Sequence, residues 1–530
     1  MSTDPLEQDA LQYDAIVIGA GHNGLVAAGY LAKAGKNVVV LDSAEVVGGA
    51  AQTAEISPDY QVSTAAHLVS GFPRQIEKDL KLSKHGLAWA TKDMATIALD
   101  RDGKHIVLSS DRKTDLATIA AHASHDGDAW KVFEGRVAKY VKLLKPLLDR
   151  GLPTASGERA TRAATMLALR LEKMGPADLR AFLQLVPSSV AALLDRSFEG
   201  DLIKGALSLQ ATLGAHAGPN TPGTAFSLIY GRTQQAIGQG LGYPVGGTGA
   251  LTEALASAAE ALGARIRLES PVREIIVENG QTKGVRLADG TLFEAPIVLS
   301  SIDPKTTCLD LVGARHFETP AVNHVSRIKM KGATAKINLA LEGLPTFENF
   351  SDREYGGRLL IAPDMGTVER SFTAAKRGEL TLEPVMEVVI PSYHDPRLAP
   401  MGHHVMSVIV PNVPFEVEGG WEAQKEPFVK RVIDTIAEYA PDLGDKIIAG
   451  EVLTPPELDD RFGWGNRGWH QGNMSFDQLL AFRPAPGMAN YEAGVSGLYL
   501  CGVGAHPGGG LTGLPGKLSA EAALVAEKRS

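Results

Sequence analysis

Cysteine is nearly missing from this chain. Its only two, Cys308 and Cys501, lie far apart in 530 residues. That spacing excludes a disulfide framework, and with no Cys-x-x-Cys it also excludes a thiol redox pair and the usual zinc knuckles. A basic excess is missing too. Fifty-two Lys and Arg face 61 Asp and Glu, for a net charge of -9. A nucleic-acid binder usually carries the opposite balance. Met1 to Gln12 hold three acids and no Lys or Arg, unlike a secretory signal or a mitochondrial transit peptide. No run approaches the roughly 20 apolar residues that span a bilayer. The expected location is therefore the cytoplasm. The pair His403-His404 has no acid or cysteine at metal spacing, so no metal site is expected.

What is abundant is apolar residue, 44% of the chain, enough for a large core and, at about 150 residues per domain, two to four domains. Asp14-Ala-Ile-Val-Ile-Gly19 reads as a strand buried on both faces, His22 to Ala34 as a helix ended by Gly35, and Asn37 to Asp42 as a second buried strand. Strand, helix, strand in about 30 residues makes a βαβ unit, and such units build parallel sheets. Residues 76–110 read as mixed strands and turns. From Asp126 to about Ala215 the pattern is helical, with Leu143, Leu144, Leu147 and Leu148 on one face, and Met166, Leu169 and Leu171 roughly on another. Glycine and proline crowd between Gly214 and Gly249, which predicts loop and a hinge. Short strands are expected over 266–272, 274–278, 284–288 and 295–301, with Asn279-Gly280 and Asp289-Gly290 as hairpin turns. Residues 330–480 read as a second α+β region. The chain closes with a strand, Gly497 to Gly502, a glycine-rich loop, and a helix from about Lys517.

The phosphate-binding signal is Gly19-Ala-Gly21-His-Asn-Gly24, which follows a strand and opens a helix. Gly19 permits the tight turn, Gly21 lets the backbone approach a pyrophosphate, and Gly24 allows close helix–strand packing. The helix N-terminus offers free N–H groups and a positive dipole end. Asp42 ends the second strand, where a carboxylate accepts hydrogen bonds from a ribose diol. Gly48-Gly49 lets the backbone pass close to a further part of a long cofactor.

Leu41-Asp42-Ser-Ala-Glu-Val-Val-Gly48-Gly49 resembles the segment after the ribose acid in glutathione-reductase-type FAD folds, in particular the amine oxidase and phytoene desaturase superfamily. Gly497-Leu-Tyr-Leu-Cys-Gly502-Val-Gly504-Ala-His506-Pro507-Gly508-Gly509-Gly510 through Gly516 resembles the C-terminal signature of bacterial-type phytoene desaturases and carotenoid isomerases. Pro244-Val-Gly246-Gly247-Thr-Gly249, with Val272, Gly284 and Asp289-Gly290, is similar to the same family's second FAD-contacting block. Gly468-Trp-His470-Gln-Gly472 to Asp477-Gln478, with Arg483-Pro484, resembles the subgroup called pyridine nucleotide-disulfide oxidoreductase domain-containing protein 2.

The resemblance implies an α/β protein with a glutathione-reductase-type FAD-binding Rossmann-like fold, an inserted α+β substrate domain and a helical cap. The FAD-binding domain would be discontinuous, from 1–75, 245–310 and 485–530. The substrate domain would take 76–125 and 311–484, and the cap 126–244. Gly19, Gly21, Gly24 and Asp42 would hold the adenosine diphosphate half of a non-covalent FAD. Gly48 and Gly49 would lie along the pyrophosphate and ribityl chain, and Val272 would bond adenine through its backbone. Gly502 and Gly504 would approach the ribityl side, and Gly509 and Gly510 the ring. The implied activity is an FAD-dependent desaturase, dehydrogenase or isomerase acting on an apolar, isoprenoid or lipid-like molecule, with oxygen or a quinone as electron acceptor. An amine oxidase, or a flavin-stabilised interaction protein with little turnover, stands beside it. Amine oxidases often carry an acid just after the last strand's glycine; Val503-Gly504-Ala505 has none.

Three histidines are candidates for the chemistry. His470 sits in a Gly- and Trp-rich turn, His67 falls where the family chain passes near the flavin, and His506 precedes the glycine run. Arg483 pairs with either a cofactor phosphate or Asp477. Gly247-Thr-Gly249 lacks a third glycine and reads as a turn plus helix start, not a nicotinamide site. The stretch Lys131 to Arg180 is locally basic, which fits either a solvated helical face over the cavity or a peripheral contact with anionic lipid.

Overall fold

The computed structural model describes residues 11–152, 158–238, 240–464 and 468–528. Residues 465–467 of the His470 segment, the first ten residues, and the side chains of Arg159 and Arg162 lie outside the described residues.

A five-stranded parallel sheet organises one half of the molecule. Its order is Arg265–Arg267, Val38–Leu41, Ala15–Ile18, Ile297–Ser300, Leu498–Leu500. Ala15–Ile18 and Val38–Leu41 are buried throughout, because helices cover both faces of such a sheet; hence the unbroken apolar runs. Helix His22–Lys33 packs on helices Thr248–Ala261 and Leu514–Glu527. The last strand therefore returns the chain's end to the first glycine loop. The closing helix begins at Leu514, three residues before its expected start, since Pro515 suits a first helical turn. Gly24 shows why its position admits only hydrogen: a Cβ there would overlap the Gly19 carbonyl oxygen. Gly24→Ala is expected to lower stability by about 1–3 kcal/mol. A urea titration with an unchanged midpoint would contradict the close packing.

A meander of Val272–Glu278, Gln281–Leu287 and Leu292–Glu294 flanks this sheet. Asn279 and Gly280 both have positive φ, 50° and 75°, as the two-residue hairpin turn requires.

The second half is a seven-stranded mixed sheet, in the order Ile447–Leu453, Thr334–Leu341, His404–Pro411, Met386–Val389, Arg358–Ile361, Thr96–Ala98, Ile106–Leu108. Its strands alternate. Ile337, Leu339, Met386, Val388, Met406, Val408 and Leu359 join a core that also holds Phe428, Val432 and Ile436 of helix Trp421–Ala437. The intervening positions, Lys336, Asn338, Glu387, Ser407 and Arg358, are also buried. The two-residue period of a strand sends them to the other face.

Helices Asp126–Asp149, Glu158–Leu185, Val190–Asp195, Asp201–Thr212 and Thr224–Ile237 share a third core around Trp130, Phe133, Tyr140, Phe182, Phe226 and Tyr230. Leu143, Leu144 and Leu148 are buried in it. Met166, Leu169 and Leu171 do not share a face: Leu171 packs on the core with Leu167 and Met174, whereas Met166 and Leu169 are exposed. The spacing 167, 171, 174 is the helical one. The expectation of a loop-rich 214–249 also needs correction. Thr224–Ile237 is a helix and Leu241–Pro244 a buried strand. The glycines that suggested a loop frame these elements, as Gly223 does at φ 86° before the helix. Among the described residues no helix is long and apolar enough to cross a membrane.

Candidate functional site

A cavity of about 540 Å³ runs between the two halves. Eleven of the fourteen expected site residues line it: Gly19, Gly21, Asp42, Gly48, Gly49, His67, Val272, His470, Gly502, Gly509 and Gly510. Gly24, Gly504 and His506 do not. Gly24 packs on Gly19, as above. Gly504 donates its N–H to Gln471 Oε1 (3.0 Å), and a Cβ there would press on Pro304. His506 is fully buried behind the wall, and its Nε2 meets the Leu147 carbonyl at 2.9 Å.

The end near residue 20 is open and polar. Nothing lies within 4 Å of where a Gly21 Cβ would stand, so the space before the helix N-terminus is open. Asp42 accepts hydrogen bonds from Ala20 N (2.5 Å) and Ala44 N (2.8 Å) while lining the cavity. His22 Nε2 and Asn23 Oδ1 are buried with no partner in the protein. A buried polar atom without a partner costs on the order of 1–3 kcal/mol. Of the two, only His22 Nε2 can carry a hydrogen and so donate to an anionic group in front of the turn; Asn23 Oδ1 is an acceptor and needs a donor. Gly48 and Gly49 have φ of 120° and 56°, and Gly48 N–H bonds the Ala20 carbonyl at 2.9 Å. This locks the second loop against the first.

The chain's end closes the opposite side. Helix Thr224–Ile237 holds the glycine run: Tyr230 OH donates to the Pro507 carbonyl (2.7 Å) and Gln234 Nε2 to that of Gly508 (2.8 Å). His470 lines the cavity, with its ring packed against Gly214. Burial, and then the nearby Arg483 charge, hold its pKa at about 4.

The wall contributed by the seven-stranded sheet is a buried polar chain, which the sequence reading missed apart from His67. Arg358 Nε donates to Glu387 Oε2 (2.6 Å), Glu387 Oε1 meets His67 Nε2 (2.8 Å), and His67 Nδ1 meets Ser407 Oγ (3.2 Å). Ser407 also touches Lys336 Nζ and, at 3.1 Å, Asn338 Oδ1. The carboxylate accepts from Nε2, which leaves Nδ1 an acceptor that shares the single Ser407 hydroxyl proton with Asn338 Oδ1. Burial alone would raise the Glu387 pKa, but Arg358 and His67 outweigh it and hold it at about 2. Burial, then the neighbouring Lys336, keeps His67 at about 4; burial brings Lys336 down to about 7. One signal was available: a lone Lys, Glu or Ser inside an otherwise apolar strand. Arg358→Met is expected to destabilise the protein by about 3–5 kcal/mol, because it strands a buried carboxylate. Adding Glu387→Gln should recover part of the loss in thermal midpoint; equal midpoints for wild type and the single variant would contradict this.

Two sequence alternatives are decided by partners. Arg483 does not pair with Asp477, which instead meets Lys329 Nζ at 2.6 Å. The glycines at 247 and 249 pack on Thr53, whose Oγ1 accepts from Gly249 N at 3.1 Å while Ser63 Oγ accepts from Thr248 N at 3.1 Å. Protein oxygens thus occupy the donors that a second nucleotide would need. The strand before them is buried, contrary to expectation, but belongs to a small antiparallel sheet. His403 and His404 meet Tyr60 OH and Ser392 Oγ.

Known proteins resemble this chain. A model of flavin containing amine oxidoreductases matches residues 24–514. A mouse protein called pyridine nucleotide-disulfide oxidoreductase domain-containing protein 2 is 35% identical over 96% of this chain and 93% of its own. A neurosporene-forming phytoene desaturase of Cereibacter sphaeroides is 25% identical over 96% and 94%. A solved putrescine oxidase variant with redesigned cofactor binding, 16% identical, superposes with a TM-score of 0.65 over 98% of this chain and 100% of that one.

Proposed function

The chain belongs to the flavin-containing amine oxidoreductase family and is an FAD-dependent oxidoreductase; from that premise we propose that its substrate is apolar, isoprenoid or lipid-like, and that the reaction is a desaturation, dehydrogenation or isomerisation. One observation carries the reading: among the described residues the cavity has no uncommitted carboxylate for an ammonium group. Glu387 is committed to Arg358 and His67, Asp42 to backbone N–H groups, and Asp303 to the N–H groups of Lys305 and Thr306. The rest of the wall includes Leu213, Leu228, Leu241, Ile409, Met474 and Leu479, suited to an uncharged body.

When bound, FAD supplies a two-electron acceptor at its N5 position. In this reading Gly19, Gly21, His22 and Asn23 hold the diphosphate, Asp42 the ribose, Val272 the adenine, Gly48, Gly49 and Gly502 the ribityl chain, and Gly509 and Gly510 the ring. The three segments that build the parallel sheet make a glutathione-reductase-type FAD domain, the seven-stranded sheet the substrate domain, and the helices of 126–244 a cap. His470 lines the cavity and is held neutral near pH 7, so it serves as the acceptor for a substrate proton. His67 is oriented by Glu387 and relays charge to Ser407 and Lys336. Oxygen or a quinone takes the electrons onward. The exposed Val132, Met166, Leu169 and Leu183, among basic helix residues, support delivery of such a substrate from a lipid surface.

A second reading, amine oxidation, is favoured by Phe462, Trp464 and Trp469, which line the cavity as an aromatic cluster and have faces suited to a cation. Anaerobic reduction separates the two. Polyenes and long-chain lipids should bleach the flavin, and amines and NADPH should not; bleaching by amines alone would overturn the apolar reading.

A further inference from the structure

Among the described residues Arg483 is the largest fully buried side chain, 1% exposed, and no carboxylate touches it. Nη2 donates to the carbonyls of Val503 (2.6 Å) and His470 (2.7 Å), and Nε to Val503 (3.1 Å). Nη1 reaches the carbonyls of Asn473 (3.3 Å) and Gln478 (3.5 Å). The five N–H donors of a guanidinium are thereby engaged, so none is left for a cofactor phosphate. Gly508 lies flat against the guanidinium, at φ 76°, where a Cβ would strike it. Val503, His470 and Met474 line the cavity and Arg483 lies one layer behind them.

A buried charge with hydrogen bonds but no counter-charge costs several kcal/mol, and natural interiors pair such charges. The titratable groups facing it are Tyr230 of the helix behind, His470 of the adjoining turn and His506 of the glycine loop. None is an anion: Tyr230 is pushed up by burial and both histidines are held at about 4. The positive field is therefore uncompensated within this wall, and it is directed at the ring end of the cavity.

We propose that Arg483 is a positioning residue for charge: through its field it stabilises the negative charge that the flavin ring gains on reduction. This rests on the placement of FAD argued above. In the step concerned a substrate C–H bond breaks and its electron pair moves with the hydrogen to the ring. The substrate is oxidised by two electrons and releases a proton elsewhere. The ring is reduced by two electrons and carries one net negative charge, which oxygen or a quinone later removes with the electrons. A fixed positive charge near the ring favours that reduced state, undiminished by solvent.

The test is the flavin midpoint potential of the purified holoenzyme. In wild type, one proton should accompany two electrons from mildly acid to neutral pH, a slope of about 30 mV per pH unit, the shift equal to tenfold for a two-electron couple. A slope twice as steep means a neutral reduced ring and overturns the proposal. Arg483→Met should lower the midpoint by at least the same tenfold equivalent, about 30 mV, and Arg483→Lys should restore most of it. Folded, flavin-bound Arg483→Met with an unchanged midpoint also overturns it. If Arg483→Met fails to fold, the wild-type slope still decides. A wild type that binds no flavin sinks the FAD placement itself, whereas bound flavin with the steeper slope sinks only the role of Arg483.

Discussion

Gly21→Val is expected to give folded but colourless protein. The site of the new side chain is open space in front of a helix N-terminus, so the apoprotein loses no packing. The isopropyl group then occupies the volume a pyrophosphate needs. Such an overlap cannot relax, because Gly48 is locked to Ala20 on one side and Asp42 bonds Ala20 on the other. Affinity for FAD should fall by at least about 100-fold, roughly 3 kcal/mol, while far-ultraviolet circular dichroism stays that of wild type. The contrast with Gly24→Ala is informative: there the Cβ meets backbone, so stability is the first loss. Yellow Gly21→Val protein with wild-type affinity would place the cofactor elsewhere.

Mild acid should unfold the flavin-free protein steeply. His22, His67, His470 and His506 are each held by burial at about 4, below the ordinary 6.5. As pH falls through 6.5 the unfolded chain takes up these protons and the folded chain does not. The unfolded state therefore binds more protons, and stability drops until the folded groups titrate near 4. Each histidine contributes about 1.4 kcal/mol per pH unit in that window, so four approach about 5 kcal/mol per unit. Glu387 acts lower, from 4.5 toward about 2, because its depressed pKa adds stability that is lost only there. Whole-protein stabilities of about 5–15 kcal/mol do not survive such a slope for long. Urea midpoints should fall sharply below about 6.5 and, because burial also depresses Lys336 to about 7, rise only gently as pH increases above 7. His506→Asn should make that fall shallower; a midpoint that stays level down to about pH 5 would contradict the burial of these rings as neutral groups.

Much of the nucleotide end was legible because its signals are local. Gly19, Gly21, Gly24, Asp42, Gly48 and Gly49 sit within one strand–helix–strand passage, where chain geometry alone fixes their neighbours. The hairpin at Asn279-Gly280 was legible for the same reason. The helix Thr224–Ile237 was not. Its tertiary contacts through Tyr230 and Gln234, which fasten the glycine run, outweigh the helix-weakening Gly231 inside it, while Gly218 and Gly223 keep their turns outside it. Arg483 was visible as a residue but not as a role: nothing near it in sequence shows that its partners would be carbonyls and its surroundings free of acids.

The amino-acid order by itself determined the parallel βαβ start, the glycine turn from Gly19 to Gly24 and the family, since these depend on glycines and apolar runs a few residues apart. Only the tertiary structure decided the cavity wall. Lys336, Arg358, Glu387 and Ser407 stand on four different strands, and sheet register, which depends on contacts distant in sequence, determines that they share one face with His67. The same long-range packing buried Arg483 without a counter-charge.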